Sequence, residues 1–162
     1  MRAGESALVG SFNEFSRCGL YGTGLDSNAR CPDHAQTLGR CDPFAAALLN
    51  AGPARIALAS DQLHAPHLVD SEVASALRRL VISNGLSASA AWRALEVWRR
   101  LGLTRYPVIG MIERVWQLRE NLSAYDASYV ALAEELGCAL LTCDGALGPT
   151  PRVRCPITVL AG

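Results

Sequence analysis

Residues Tyr125–Asp144, YDASYVALAEELGCALLTCD, carry two elements of opposite character. The run up to Leu136 is an amphipathic helix in pattern. Ser123, with Asp126 three positions on, fits a capping box at its start, and Gly137 is a natural stop. The stretch GCALLT that follows is short, apolar and introduced by a glycine, which suits a strand buried on both faces of a parallel sheet. Asp144 then stands at the carboxyl end of that strand, where side chains project into the ligand crevice of open α/β sheets. Taken singly, Asp126 is equally the opening of a helix, and Asp144 is equally a turn residue before Gly145.

Working outward, PITVL near the end repeats the buried-strand signal. Upstream, LHAPHLVDSEVASALRRLVISNG reads as an extended piece at 63–68 running into a helix. Its apolar face is Val69, Val73, Ala76, Leu77, Leu80 and Val81. Asp70 or Ser71 serves as N-cap, Glu72 falls in the first turn, and Asn84-Gly85 is the stop. SASAAWRALEVWRRLG is a second helix, with Trp92, Leu95, Trp98 and Leu101 at core-facing or helix-packing spacing. LTRYPV forms a short strand closed by Pro107, and 109–120 a further helix. FAAALLNAGPARIALAS holds two short helices split at Gly52-Pro53. Short strands alternating with helices predict a three-layer α/β domain.

Half of the 162 residues are hydrophobic, enough for one domain with a substantial core. Residues 1–40, rich in Gly, Ser, Asn and Asp and without period, are expected to be a poorly ordered extension, leaving 41–162 as the domain. No apolar run approaches membrane-span length and no export signal opens the chain, so a cytoplasmic protein is expected. All 15 basic side chains are arginine. The lack of lysine excludes a P-loop and Schiff-base chemistry. Net charge is zero, yet residues 78–119 hold eight arginines against Glu96 and Glu113, either solvated helix faces or a basic surface for phosphates. The six cysteines form no CxxC pair and are expected to be reduced thiols. Cys18, Cys31, His34 and Cys41 match no compact zinc-finger spacing.

Glu72, Asp126 and Asp144 all fall at strand ends or helix starts, positions that an α/β fold gathers at one edge. Each has a bland explanation, Glu72 through the helix dipole. Their common location has none, and converging carboxylates are the hard oxygen donors that Mg²⁺ or Mn²⁺ requires.

LHAPHLVDSEVASALRRL, LTRYPVIGMIERVWQLRENLSAYDASYVALAEELGCALLTCD and ITVL together resemble the PIN domain, and specifically VapC-type toxins of type II toxin–antitoxin pairs. The resemblance runs from about residue 42 to the C-terminus. It implies a PIN-like α/β/α fold around a five-stranded parallel sheet and a Mg²⁺-dependent endoribonuclease, with Mn²⁺ as substitute. A homodimer or toxin–antitoxin hetero-oligomer, a VapB-like antitoxin over the acidic groove and an RNA substrate are implied as well. By residue, it places the family's second to fourth acidic positions on Glu72, Asp126 and Asp144, with Thr142 as the polar residue beside the last.

The first acidic position departs from the pattern. The family's first strand reads apolar-apolar-Asp-Ala-Ser, whereas this chain has TLGRCDPFAAALLNAGPA, which offers Asp42 as a metal ligand but makes the first strand atypical. Codons for Leu-Gly-Arg-Cys-Asp-Pro read one nucleotide later can encode Val-Asp-Ala-Thr, so residues 1–43 are expected to reflect an out-of-frame or alternative start. A catalytically impaired module that still binds antitoxin or RNA is the second expectation. An unrelated α/β phosphohydrolase is the third.

Overall fold

The computed structural model describes residues 36–38 as backbone, together with residues 62–147 and 150–160. Five strands form one sheet: β1 (Gln36–Leu38), β2 (Leu63–Pro66), β3 (Leu103–Tyr106), β4 (Ala139–Thr142) and β5 (Ile157–Val159). Their order is β3-β2-β1-β4-β5, and every neighbouring pair is parallel. All carboxyl ends therefore lie along one edge, as expected for an α/β sheet.

Among the described residues, four α-helices connect the strands: α1 (Leu68–Ile82), α2 (Ala88–Arg100), α3 (Ile112–Gln117) and α4 (Ala124–Leu136). Helix α4 is the centre of the molecule. Ser123 caps it by accepting from the Asp126 amide at 3.2 Å, and Gly137 ends it with φ 65°, a left-handed conformation that favours glycine. Seven consecutive residues, Ala127 to Ala133, are buried, so the helix is apolar on nearly every side and packs on β1, β2 and β4. Strand β4 lies beneath it with Leu140, Leu141 and Thr142 buried, the two-faced burial its sequence predicts.

The central strand is the unexpected element. β1 pairs Gln36 with Leu63 and Ala139, and Thr37 with His64 and Leu140. It lies before residue 41, so the sheet draws its middle strand from the stretch read as an extension. Main-chain hydrogen bonds in a ladder do not depend on side-chain type, which lets Gln-Thr-Leu fill a slot between two paired neighbours. The atypical first strand is thus present, and it is three residues long. Residues 1–35 and 39–61 lie outside the described residues. They include the helices read around Gly52-Pro53, the stretch GRCDP with Asp42, and Cys18, Cys31, His34 and Cys41.

Other expectations shift by a turn or a face. Helix α1 begins at Leu68 with His67 at the capping position and no side-chain cap, so neither Asp70 nor Ser71 is the N-cap. Asp70 lies in the first turn, and Glu72 therefore falls in the second. Asp70 has a stronger set of donors than an N-terminal amide. Its carboxylate takes Arg105 Nε and Nη2 at 2.7 and 2.8 Å and the Trp98 indole N–H at 2.7 Å. That network ties α1 to α2 and β3. Trp98 is buried in it, whereas Trp92 is 63% exposed on the opposite side of α2 and is not a core residue. The helix read over 109–120 is a single turn of 3₁₀ helix at Val108–Met111 followed by α3. Asn84, at φ 58°, and Gly85 close α1 as expected, with the Gly85 amide donating to Leu80 O.

Candidate active site at the carboxyl edge

Glu72 projects from α1, the helix that leaves the carboxyl end of β2. Its Oε2 accepts a hydrogen bond of 2.7 Å from the Tyr129 hydroxyl. Tyr129 is 1% exposed, its ring locked among the core residues of α4, so the hydroxyl is a fixed donor. Asp126 lies one turn before Tyr129 on the same helix and hence on the same face. Its Oδ2 accepts 2.6 Å from Ser123 Oγ, which also caps the helix. Asp126 thus shares a face of α4 with the tyrosine that holds Glu72.

Asp144 follows β4. Thr142, fully buried, uses Oγ1 to accept from the Asp144 amide at 3.0 Å, and Asp144 O in turn accepts from Leu147 N. Thr142 thus fixes the backbone from which Asp144 leaves the strand. The Asp144 carboxylate is exposed at that edge.

Strand spacing sets the separation between these groups. β2 and β4 are not neighbours; β1 runs between them. Strands two positions apart are about 10 Å from each other. Glu72 and Asp144 therefore leave the sheet from strands on either side of β1. Among the described residues no group of three or more His, Cys, Asp or Glu side chains lies close enough to hold a metal ion. Asp42, four positions after Leu38, lies outside those residues. The carboxylates present match Mg²⁺ in donor chemistry and in edge, with acceptor-only oxygens and no sulfur or imidazole among them.

Two groups escaped the sequence reading. Tyr129 was legible only as an apolar helix position, although a tyrosine three residues after an acidic one on a buried face signals a hydroxyl that needs a partner. The Asp70 carboxyl is pushed up by burial, but the hydrogen bonds from Arg105 and Trp98 together with the Arg105 charge hold it below its ordinary value. It anchors the helix that presents Glu72. Several arginines of the stretch 78–119 are paired with carboxylates: Arg105 with Asp70, Arg114 with Glu134, Arg99 and Arg100 with Glu96, and Arg119 with Glu120.

A parallel sheet with this topology, carrying acidic residues after successive strands, defines a class of protein, and comparison with known sequences agrees with it. Residues 46–151 match the model of the PIN domain, and the chain belongs to the PIN-domain family. The matched span contains Glu72, Asp126, Thr142 and Asp144 and begins after Asp42.

Within the family it is a VapC-type chain. It is 61% identical over 115 residues to Ribonuclease VapC9 of Mycobacterium tuberculosis, covering 71% of this chain and 91% of that protein. Two solved structures share the fold. One is PAE2754 from Pyrobaculum aerophilum, with TM-score 0.58 and 21% identity over 85% of this chain and 91% of that one. The other is VapBC2 from Rickettsia felis bound to a DNA fragment from their promoter, with TM-score 0.58 and 11% identity over 78% of this chain and 99% of that one.

Proposed function

We propose that the protein is an endoribonuclease toxin of a toxin–antitoxin pair, cutting RNA phosphodiesters at the carboxyl edge of its sheet. The observation that carries this reading is the 61% identity across 91% of a ribonuclease of the VapC type. The local geometry supports it. Glu72 is held by Tyr129 and Asp126 by Ser123, so two of the carboxylates are oriented before any ligand arrives, and Thr142 fixes the backbone from which Asp144 leaves β4.

Glu72, Asp126 and Asp144, with Asp42 as the fourth donor, would hold Mg²⁺, or Mn²⁺ in its place. When bound, the ion supplies the positive charge that stabilises phosphoryl transfer and makes water a better nucleophile. The partners are an RNA substrate and a VapB-like antitoxin, in a homodimer or toxin–antitoxin hetero-oligomer, and the setting is cytoplasmic. No helix among the described residues is long and apolar enough to cross a membrane.

A second reading, a module that binds antitoxin or RNA but cuts poorly, draws on one observation: no closed group of three ligands exists among the described residues. Cleavage of a structured RNA by purified protein with and without Mg²⁺, compared with Asp144→Asn and Asp126→Asn, decides between them. The ribonuclease reading expects Mg²⁺-dependent cutting that both substitutions reduce by at least tenfold. Undiminished cutting in both would remove the proposed site. No cutting by the parent, with antitoxin binding retained, would favour the impaired module.

A further inference from the structure

Away from the carboxylates, the segment Arg152–Arg154 before β5 lies against α3 and the turn after it. A groove of about 470 Å³ between them is lined by Arg114, Gln117, Arg119, Arg152, Val153 and Arg154. Four of the six are arginines and none is acidic. The neighbouring cavity shares Arg114, Gln117 and Arg154 but is also lined by Glu113, Glu134 and Glu135, so of these two the first groove is the positively charged one.

The groove is built. Arg114 donates from Nε and Nη2 to the Glu134 carboxylate at 2.6 and 3.0 Å, and from Nη2 to Arg152 O at 2.7 Å. The Arg154 amide donates 2.8 Å to Glu134 Oε1. These bonds pin the segment onto α3 and α4 and sustain φ 69° at Arg152, a left-handed conformation that costs a non-glycine residue energy. Arg114 is consumed in this scaffold. Arg152 and Arg154 are exposed, and Arg119, also exposed, donates from Nη1 to Trp116 O at 3.0 Å. Among the described residues the acidic side chain paired with Arg119 and Arg152 is Glu120, at 3.5 and 3.6 Å between exposed groups, contacts that a competing phosphate readily replaces.

Beside the arginines stands Trp116, 67% exposed on α3, with the Arg119 guanidinium 5.0 Å from its ring centroid. An exposed indole held next to a groove of cations is the pairing that single-stranded nucleic acid uses: bases stack on the aromatic face while phosphates follow the positive charge. An aromatic face beside clustered cations favours recognition of a flexible strand through stacking and phosphate contacts.

We propose that Trp116 with Arg119, Arg152 and Arg154 forms an accessory site for single-stranded RNA, outside the acidic edge, that holds the substrate strand beyond the bond to be cut. This inference rests on the ribonuclease reading for the identity of its ligand. It assigns to these four residues binding and not chemistry.

The test is binding of a fluorescent single-stranded RNA of about ten nucleotides to the full chain in EDTA, where no cutting occurs. Trp116→Ala is expected to weaken binding by about 5- to 100-fold, while Trp116→Phe, which keeps an aromatic face, stays within about threefold of the parent. The double variant Arg152→Ala, Arg154→Ala is expected to bind less tightly. It should also flatten the slope of log affinity against log salt by about 1.4, two phosphate contacts on a single strand. All variants should melt with the parent, since the altered side chains are exposed.

Unchanged affinity in Trp116→Ala and in the double variant would overturn the proposal, as would absence of RNA binding by the parent. So would a Trp116→Ala variant whose oligomeric mass changes while its RNA affinity does not, because the patch would then be a protein interface. Cutting by the parent alongside parent-like RNA binding in these variants would remove the accessory site and leave the ribonuclease reading standing. No cutting by the parent alongside weakened binding in the variants would do the reverse.

Discussion

Replacing Tyr129 with phenylalanine separates the support of Glu72 from its chemistry. The ring is 1% exposed and remains as packed in phenylalanine as in tyrosine, so the change removes one hydroxyl and its 2.7 Å bond to a carboxylate. A hydrogen bond to a charged group contributes about 1.5–3 kcal/mol. Glu72 is half-buried and recovers water when the hydroxyl is gone, which argues for the lower end, about 1.5 kcal/mol. For a chain of this size that is a fall in Tm of about 3–6 °C. The carboxylate also gains freedom to rotate away, and a displaced catalytic group loses about tenfold in rate or more.

Glu72→Gln is the counterpart: the amide oxygen can still accept from Tyr129, so stability changes little while the negative charge needed at the edge is lost. Thermal melting and single-turnover RNA cleavage, measured on both variants, should show opposite profiles. Tyr129→Phe is expected to lower Tm by several degrees and the rate about tenfold. Glu72→Gln is expected to leave Tm within about 2 °C and abolish most cutting. If Tyr129→Phe melted and cut like the parent, the hydroxyl would not be positioning Glu72.

Two further outcomes follow from shifted titrations. The Asp70 pKa is lowered, so its contribution to stability is present above the unfolded-state value near ~3.9 and is lost as pH falls through the folded value. Urea unfolding between pH 7 and pH 3 should therefore show a steeper acid loss for the parent than for Asp70→Asn. The difference should be about 1 kcal/mol after screening of the partly exposed pair, and parallel curves would refute the role given to Arg105. Burial, reinforced by the nearby Glu134 carboxylate, pushes the Cys155 thiol up to about 11. Peptide-resolved alkylation with iodoacetamide should find it nearly inert at pH 7.5, and ready labelling there would contradict the packing around β5.

The sequence was most legible where local and global signals agreed. Ser123, Asp126 and Gly137 marked both ends of α4, and the unbroken apolar run Ala139–Thr142 announced a doubly buried strand, because helix caps and burial on two faces leave residue-level traces. The stretch around Asp70 was misread because a carboxylate near a helix start looks like a cap. Its true partners, Arg105 and Trp98, are 35 and 28 positions away, and no local rule finds them. The spacing of Trp92 and Trp98 on one helix could not tell which would be covered. β1 was invisible for a different reason: three residues with no apolar pattern become a central strand only because β2 and β4 offer free backbone on either side. The bond from Tyr129 to Glu72 was not legible either, because it exists only once α1 and α4 have met.

That meeting has a consequence for how the chain comes to exist. Tyr129 and Glu72 are separated by 57 positions, and β1 pairs with β4 only after everything between them has been made. Contacts so distant in sequence form late and slowly in folding. A partly synthesised chain that has built β2, α1 and β3 holds Glu72 without the donor that orients it and without Asp126 and Asp144. A protein that cuts RNA is thereby kept inert beside the very message and ribosome that produce it, and its danger begins only with its completion.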